Sequence, residues 1–170
     1  VKLLSGFILI ALIAGIIGIF GSREVNNVND QVDKMYTTGL VPMTELAHIA
    51  YDYQGIRLSY RDMITETEPS KIESKITDVE EAIKRIEKVL NDYEKGLRSE
   101  QGRILFEKFK DNYKSTIGHV RSIYSLCRSN DDEAALVIRN GILRESNLKA
   151  IAAFDEMLEA KLEYAQQIEN

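Results

Sequence analysis

The sequence predicts an all-α protein: an antiparallel up-down-up-down four-helix bundle, with an N-terminal transmembrane helix continuous with the first bundle helix. Three observations carry this expectation. Four long stretches place apolar residues at alternating steps of three and four, the spacing of helices packed side by side. Turn and cap signals separate these stretches near residues 65–70, 96–99 and 129–131. Only two prolines occur among 170 residues, so few positions force a helix to end.

The first stretch organises the rest. Leu3–Phe20 holds no charged side chain, and roughly 20 apolar residues suffice to cross a hydrocarbon core. The run exceeds the roughly 7–15 residues of a signal-peptide core, so residues 1–21 read as an uncleaved membrane helix. Beyond it a seam continues through Val25, Val28, Val32, Met35, Gly39, Pro42, Leu46, Ile49, Tyr53, Ile56, Tyr60 and Met63. Its phase survives Gly39 and Pro42, which predicts a kinked but continuous helix rather than a loop. Traced backwards, the seam meets Gly21, Gly18, Ala14 and Ala11, small residues that let membrane helices approach closely.

The second helix follows Glu68-Pro69-Ser70, with Pro at its start and Ser70/Glu73 in capping-box spacing. Its stripe is Ile72, Ile76, Val79, Ile83, Ile86, Leu90, Tyr93 and Leu97, and Gly96 is its stop signal. Ser99 caps a third helix with the stripe Phe106, Phe109, Tyr113, Ile117, Val120, Tyr124 and Cys127. Ser129–Glu133 supplies a cap and acids for the fourth, where the helix dipole favours them. That helix carries Leu136, Leu143, Ala150, Ile151, Phe154, Met157, Leu158, Ala165 and Ile168. At 1.5 Å per residue the outer two helices span roughly 67 and 60 Å and the inner two roughly 40–47 Å. The first climbs from the membrane, the fourth returns to it, and a second membrane helix is expected just beyond Asn170. Residues 22–170 then form one bundle domain.

Composition excludes several functions. Lys2 is the sole basic residue before Arg23, so 21 of the 22 basic residues and all 27 acidic ones lie in residues 22–170, a net charge of −6. A nucleic-acid partner, which calls for clustered basic charge, is not expected. One cysteine, Cys127, rules out an internal disulfide framework or CxxC site, and its place on a stripe makes it a core thiol. His48 and His119 belong to no paired ExxH pattern, so no metal or cofactor is expected. No phosphate loop or nucleophile–base pattern occurs, so no enzyme is expected.

Arg57 and Arg61 lie one turn apart on one helix face, and their guanidinium forks suit a carboxylate or phosphate. Bundle geometry sets them at the height of Arg139 and Arg144. The competing expectation is solvated arginines paired with Asp52, Asp62 or Glu66. Tyr53 and Tyr60 fall on the seam and can add hydroxyls to a pocket or simply pack.

The membrane run, the segment VPMTELAHIAYDYQGIRLSYRDMI, the start SNDDEAALVIRN of the last helix and the two long outer helices together resemble the four-helix-bundle sensor domain of methyl-accepting chemotaxis proteins. The resemblance covers essentially the whole chain. It implies a bacterial inner-membrane receptor with its bundle on the extracytoplasmic, periplasmic side. It further implies a homodimer formed through the first helix, a small-molecule stimulus or a periplasmic binding protein, and a cytoplasmic signalling part. In the family's amino-acid receptors, arginines late in the first helix hold the ligand carboxylate. Arg57 and Arg61 match two of them; the third falls on Asp52, and the polar ligand segment early in the last helix is replaced by EAALVIRN. The resemblance implies Arg57 and Arg61; with Arg139, placed by bundle height, and Tyr53 and Tyr60 on the seam, these are the candidate site residues, for an anionic ligand. The same bundle also serves as input domain of histidine kinases or cyclic-nucleotide enzymes, and a ligand-free membrane-anchored adaptor is the further alternative. The last helix, without Pro and with only Gly141 to weaken it, is expected to move as a stiff rod.

Overall fold

The computed structural model describes the backbone of residues 2–168, and side-chain surroundings from Ile13 to Glu163 except Thr38. The chain divides into two compact units, residues 1–40 and 41–170. No strand occurs among the described residues.

The first unit holds α1, Lys2–Lys34, and a π-helical segment, π1, Met35–Leu40. Within this chain Val25, Val28, Val32 and Met35 are all more than half exposed. The membrane-helix expectation for residues 1–21 rests largely on side chains outside the described range. Among the described residues no helix is long and apolar enough to cross a membrane.

No loop interrupts the helical backbone at Gly39–Pro42. The segment π1 ends at Leu40, and α2, Val41–Ile64, begins at the next residue. Pro42 explains the wider turn. It lacks an N–H, and its ring clashes with the carbonyl four residues back in a regular α-helix.

The second unit is a bundle of four helical arms: α2; α3, Pro69–Gly96; α4, Glu100–Arg128; and a last arm of α5, Asp132–Ile138, π2, Arg139–Leu143, and α6, Arg144–Ile168. Ion pairs fix its antiparallel sense. From Asp52–Arg85 to Asp62–Lys75 the partners climb α2 as they descend α3. Lys110–Glu94, Arg121–Glu80 and Arg128–Glu73 do the same for α4 against α3.

The core follows the apolar stripes. Pro42, Leu46, Ile49, Tyr53, Ile56, Tyr60 and Met63 are buried, as are Ile83, Ile86 and Val120. Phe154 is half-buried at the edge of the same core. Burying such side chains supplies about 1.5–3 kcal/mol each. Ala165 and Ile168, also expected on the last stripe, lie outside the range of described side chains.

Two of the expected caps form. The Ser99 hydroxyl accepts from Gly102 N at 3.0 Å, and the Asp131 carboxylate accepts from Ala134 N at 3.2 Å. The capping box at Ser70 and Glu73 does not. The N-cap is Glu68, two residues before Ser70, the helix begins at Pro69, and the Ser70 hydroxyl donates to the Glu68 carboxylate at 2.6 Å instead. Glu73 is engaged by Arg128 of α4. A long-range charge partner wins over the local cap.

The stiff-rod expectation for the last helix is corrected. Gly141, at φ −93° and ψ −108°, lies outside helical geometry and kinks the arm within π2. Glycine has no Cβ to resist that conformation. The arm is therefore two rigid pieces, α5 and α6, joined at a bend.

Candidate functional site

The site is built where α2, α4 and α6 meet. On α2, Ile49 and Tyr53 point inward, while Ala50, Gln54 and Arg57 lie on the flank facing α6. Ala150, Ile151, Phe154 and Asp155 answer from α6, and Phe109 from α4. Together they line a cleft of about 210 Å³. At roughly 30 Å³ per water, that is room for about seven waters or one small organic molecule. Ala150 matters by being small, since a larger residue there fills the space.

The walls are mostly apolar. Phe109 and Phe154 meet edge to face with centroids 5.4 Å apart, and Phe109 lies 5.9 Å from Tyr113. Tyr53 is tilted against Tyr113 at 6.1 Å. Its hydroxyl donates to Asn147 Oδ1 at 2.7 Å in the buried interior. Burial pushes the Tyr53 hydroxyl up to about 12, so at neutral pH it is a donor and not a phenolate.

Polarity is confined to a few groups. Arg57 is half-buried; its Nη1 donates to Gln54 Oε1 at 2.8 Å. Its Nε is buried with no hydrogen-bond partner. A buried guanidinium N–H left unmade costs about 1–3 kcal/mol or more, because water has been removed and nothing replaces it. Asp155, exposed, sits on the rim. The arrangement is a cation edge beside an aromatic slot. It suits an anionic group on an apolar body.

Of the residues expected here, the structure brings Tyr53 and Arg57 together. Arg61 is exposed, Tyr60 is buried in the core, and Arg139 lies half-buried in π2; none of the three lines the cleft. Among the described residues, neither Arg57 nor Arg61 pairs with Asp52, Asp62 or Glu66. Asp52 is held by Arg85 of α3, through Nε at 3.1 Å and Nη2 at 2.8 Å, and Asp62 meets Lys75. Glu66 accepts from the backbone N–H groups of Thr67 and Glu68. Asp52, at the place of the family's third arginine, thus serves as an anchor between α2 and α3.

The sequence did carry a signal for part of what was missed. Asn147 interrupts the apolar stripe between Leu143 and Ala150, and Thr116 breaks the stripe of α4 beside Ile117; both are buried. A polar residue on a core stripe marks a buried polar contact. Cys127 is buried as expected, and burial pushes its thiol up to about 11.

A family model described as a four-helix bundle sensory module for signal transduction matches residues 1–170. The chain belongs to this family. The resemblance to the sensor domain of methyl-accepting chemotaxis proteins is thereby borne out, and the bundle is a sensory module for signal transduction. No curated protein and no solved structure matches the chain. Within this sensory module, the cleft lies between the first and last helical arms of the bundle.

Proposed function

We propose that this sensory module is the input domain of a transmembrane chemoreceptor, held in the bacterial inner membrane by residues 1–21 with its bundle on the extracytoplasmic side. Its stimulus is a small anionic molecule seated in the cleft at Arg57. The observation that carries this is the buried, unpartnered Arg57 Nε beside an aromatic slot that spans α2 and α6. An anion there satisfies the guanidinium and touches both arms.

The uncharged run Leu3–Phe20 supports the membrane anchor. The exposed seam Val25, Val28, Val32 and Met35 supports pairing with a second copy through the first helix. Binding shifts the arms only as far as it favours one arrangement over another. Because Gly141 separates α5 from α6, the displaced piece is α6 rather than the whole last arm.

The test is thermal unfolding of the full chain reconstituted in lipid vesicles, with a panel of amino acids, organic acids and phosphates. A ligand at 100 times its Kd raises stability by about 2.7 kcal/mol. At least one anion is expected to raise the Tm and neutral isosteres are not. A flat response across the panel, or a chain that fails to float with the vesicles, contradicts the proposal.

A further inference from the structure

Asn140-Gly141 is the sole Asn-Gly pair in the sequence, and it falls at the bend of the last arm. Gly141 has φ −93° and ψ −108°, so two helices meet there at a kink. Asn140 and Gly141 are both exposed, and a Cβ built on Gly141 meets nothing within 4 Å. No neighbouring side chain shields the peptide on that side. An asparagine holds an amide carbon within reach of the next backbone nitrogen, and attack closes a five-membered ring. In a regular helix the backbone is fixed and its N–H groups are held by carbonyls four residues back. The side chain of the following residue also stands in the way. Glycine removes that obstacle, and a break in the helix lets the backbone open locally at small cost.

We propose that Asn140-Gly141 is a site of self-modification, where asparagine converts to aspartate and isoaspartate without an enzyme. The Gly141 nitrogen gives its proton to hydroxide and bonds to Asn140 Cγ. The bond from Cγ to the side-chain nitrogen breaks, and that nitrogen takes a proton from water and leaves as ammonia. The product is a cyclic imide. Water then adds to one of its two carbonyl carbons. Addition at Cγ breaks the bond from Cγ to the Gly141 nitrogen and gives aspartate. Addition at the main-chain carbonyl of residue 140 breaks its bond to the Gly141 nitrogen and gives isoaspartate, with the chain now running through Cβ and Cγ. Either product adds a negative charge four residues before Arg144, the spacing at which an acid and a base pair on a helix. Isoaspartate also lengthens the main chain by one carbon at the bend. Both change how α5 meets α6. The inference does not rest on the cleft.

The experiment is peptide mapping by mass spectrometry of the full chain, aged folded at mildly alkaline pH, with a portion aged in urea as the unrestrained reference. Asn140 is expected to convert ahead of Asn130, which is also exposed but precedes Asp131, and ahead of buried Asn147. Its folded rate is expected to stay within about tenfold of its rate in urea, as low-cost local opening implies. Asp92→Gly supplies the comparison, because it builds a second Asn-Gly pair at exposed Asn91 inside the regular helix α3. In the folded chain that pair is expected to convert more slowly than Asn140 by about tenfold or more. Gly141→Ala is expected to bring Asn140 down to the rate of Asn130. Protection of Asn140 by more than about tenfold on folding, or equal folded rates at the two Asn-Gly pairs, overturns the proposal. Should Asp92→Gly loosen α3, seen as lost helicity, the folded-to-urea ratio at Asn140 in the parent decides alone.

Discussion

The Tyr53 hydroxyl and Asn147 Oδ1 lie 2.7 Å apart in the interior of the bundle, a direct polar tie between α2 and α6. It sits on the same tyrosine that lines the cleft, so the geometry of the site and the spacing of the two arms share one bond. Removing only the donor strands a buried acceptor. Tyr53→Phe is expected to cost about 1–3 kcal/mol in urea unfolding. Tyr53→Phe combined with Asn147→Leu is expected to recover a good part of that loss, because neither group is then left unpaired.

Helix capping gives a sharp contrast between two serines. Ser99 accepts from the backbone at the start of α4, whereas Ser70 donates to a side chain and caps nothing. Ser99→Ala is expected to cost about 0.5–2 kcal/mol and Ser70→Ala to stay within about 0.5 kcal/mol. Chemical denaturation of the two variants side by side checks this.

That contrast shows what a sequence makes legible. Helix number, stripe phase and the caps at Ser99 and Asp131 follow from local spacing and are found in the structure. The seam from Pro42 to Met63 is buried in full, because one apolar face has one place to go. The break at Gly141 was not legible. An isolated glycine is tolerated inside a helix, and local spacing alone does not separate that case from a kink. The same limit applies to the site. Arg57 and Arg61 are equivalent in sequence, and only the three-dimensional flank formed by Phe109, Ala150 and Phe154 separates them. Asp52 looked available to an arginine of its own helix, but the fork of Arg85 reaches it across the α2–α3 interface.

Stability is expected to fall on the alkaline side. Burial raises the hydroxyls of Tyr53 and Tyr93 to about 12 from an ordinary 10.0, and pushes those of Tyr113 and Tyr124 up as well. A raised folded value means that the native state holds its proton longer than the unfolded chain. The contribution is complete below pH 10 and is lost as pH rises from 10 through 12. Urea midpoints measured between pH 8 and 11.5 are expected to hold and then drop steeply above 10. A flat profile across that range would show that these hydroxyls are not buried as described.

The acid side carries a smaller effect. The Arg121 guanidinium holds the Glu80 carboxyl below the usual carboxylate range against partial burial, with Tyr124 donating as well. A depressed folded value gives stability that is present above an ordinary 4.5 and lost as pH falls below it. Arg121→Ala is expected to cost about 1 kcal/mol or less at pH 7, since the pair is half open to solvent, and less still at pH 3.

The most direct test of the account is calorimetric titration of the most stabilising anion into three forms of the full chain: the parent, Arg57→Ala and Arg61→Ala. In the proposed reading the ligand meets Arg57, whose Nε is buried and unpartnered, while Arg61 is exposed. Binding is expected to weaken by tenfold or more in Arg57→Ala, as loss of a charge-assisted pair of about 1.5–3 kcal/mol requires. It is expected to be unchanged in Arg61→Ala. Undiminished binding to Arg57→Ala would contradict the central claim.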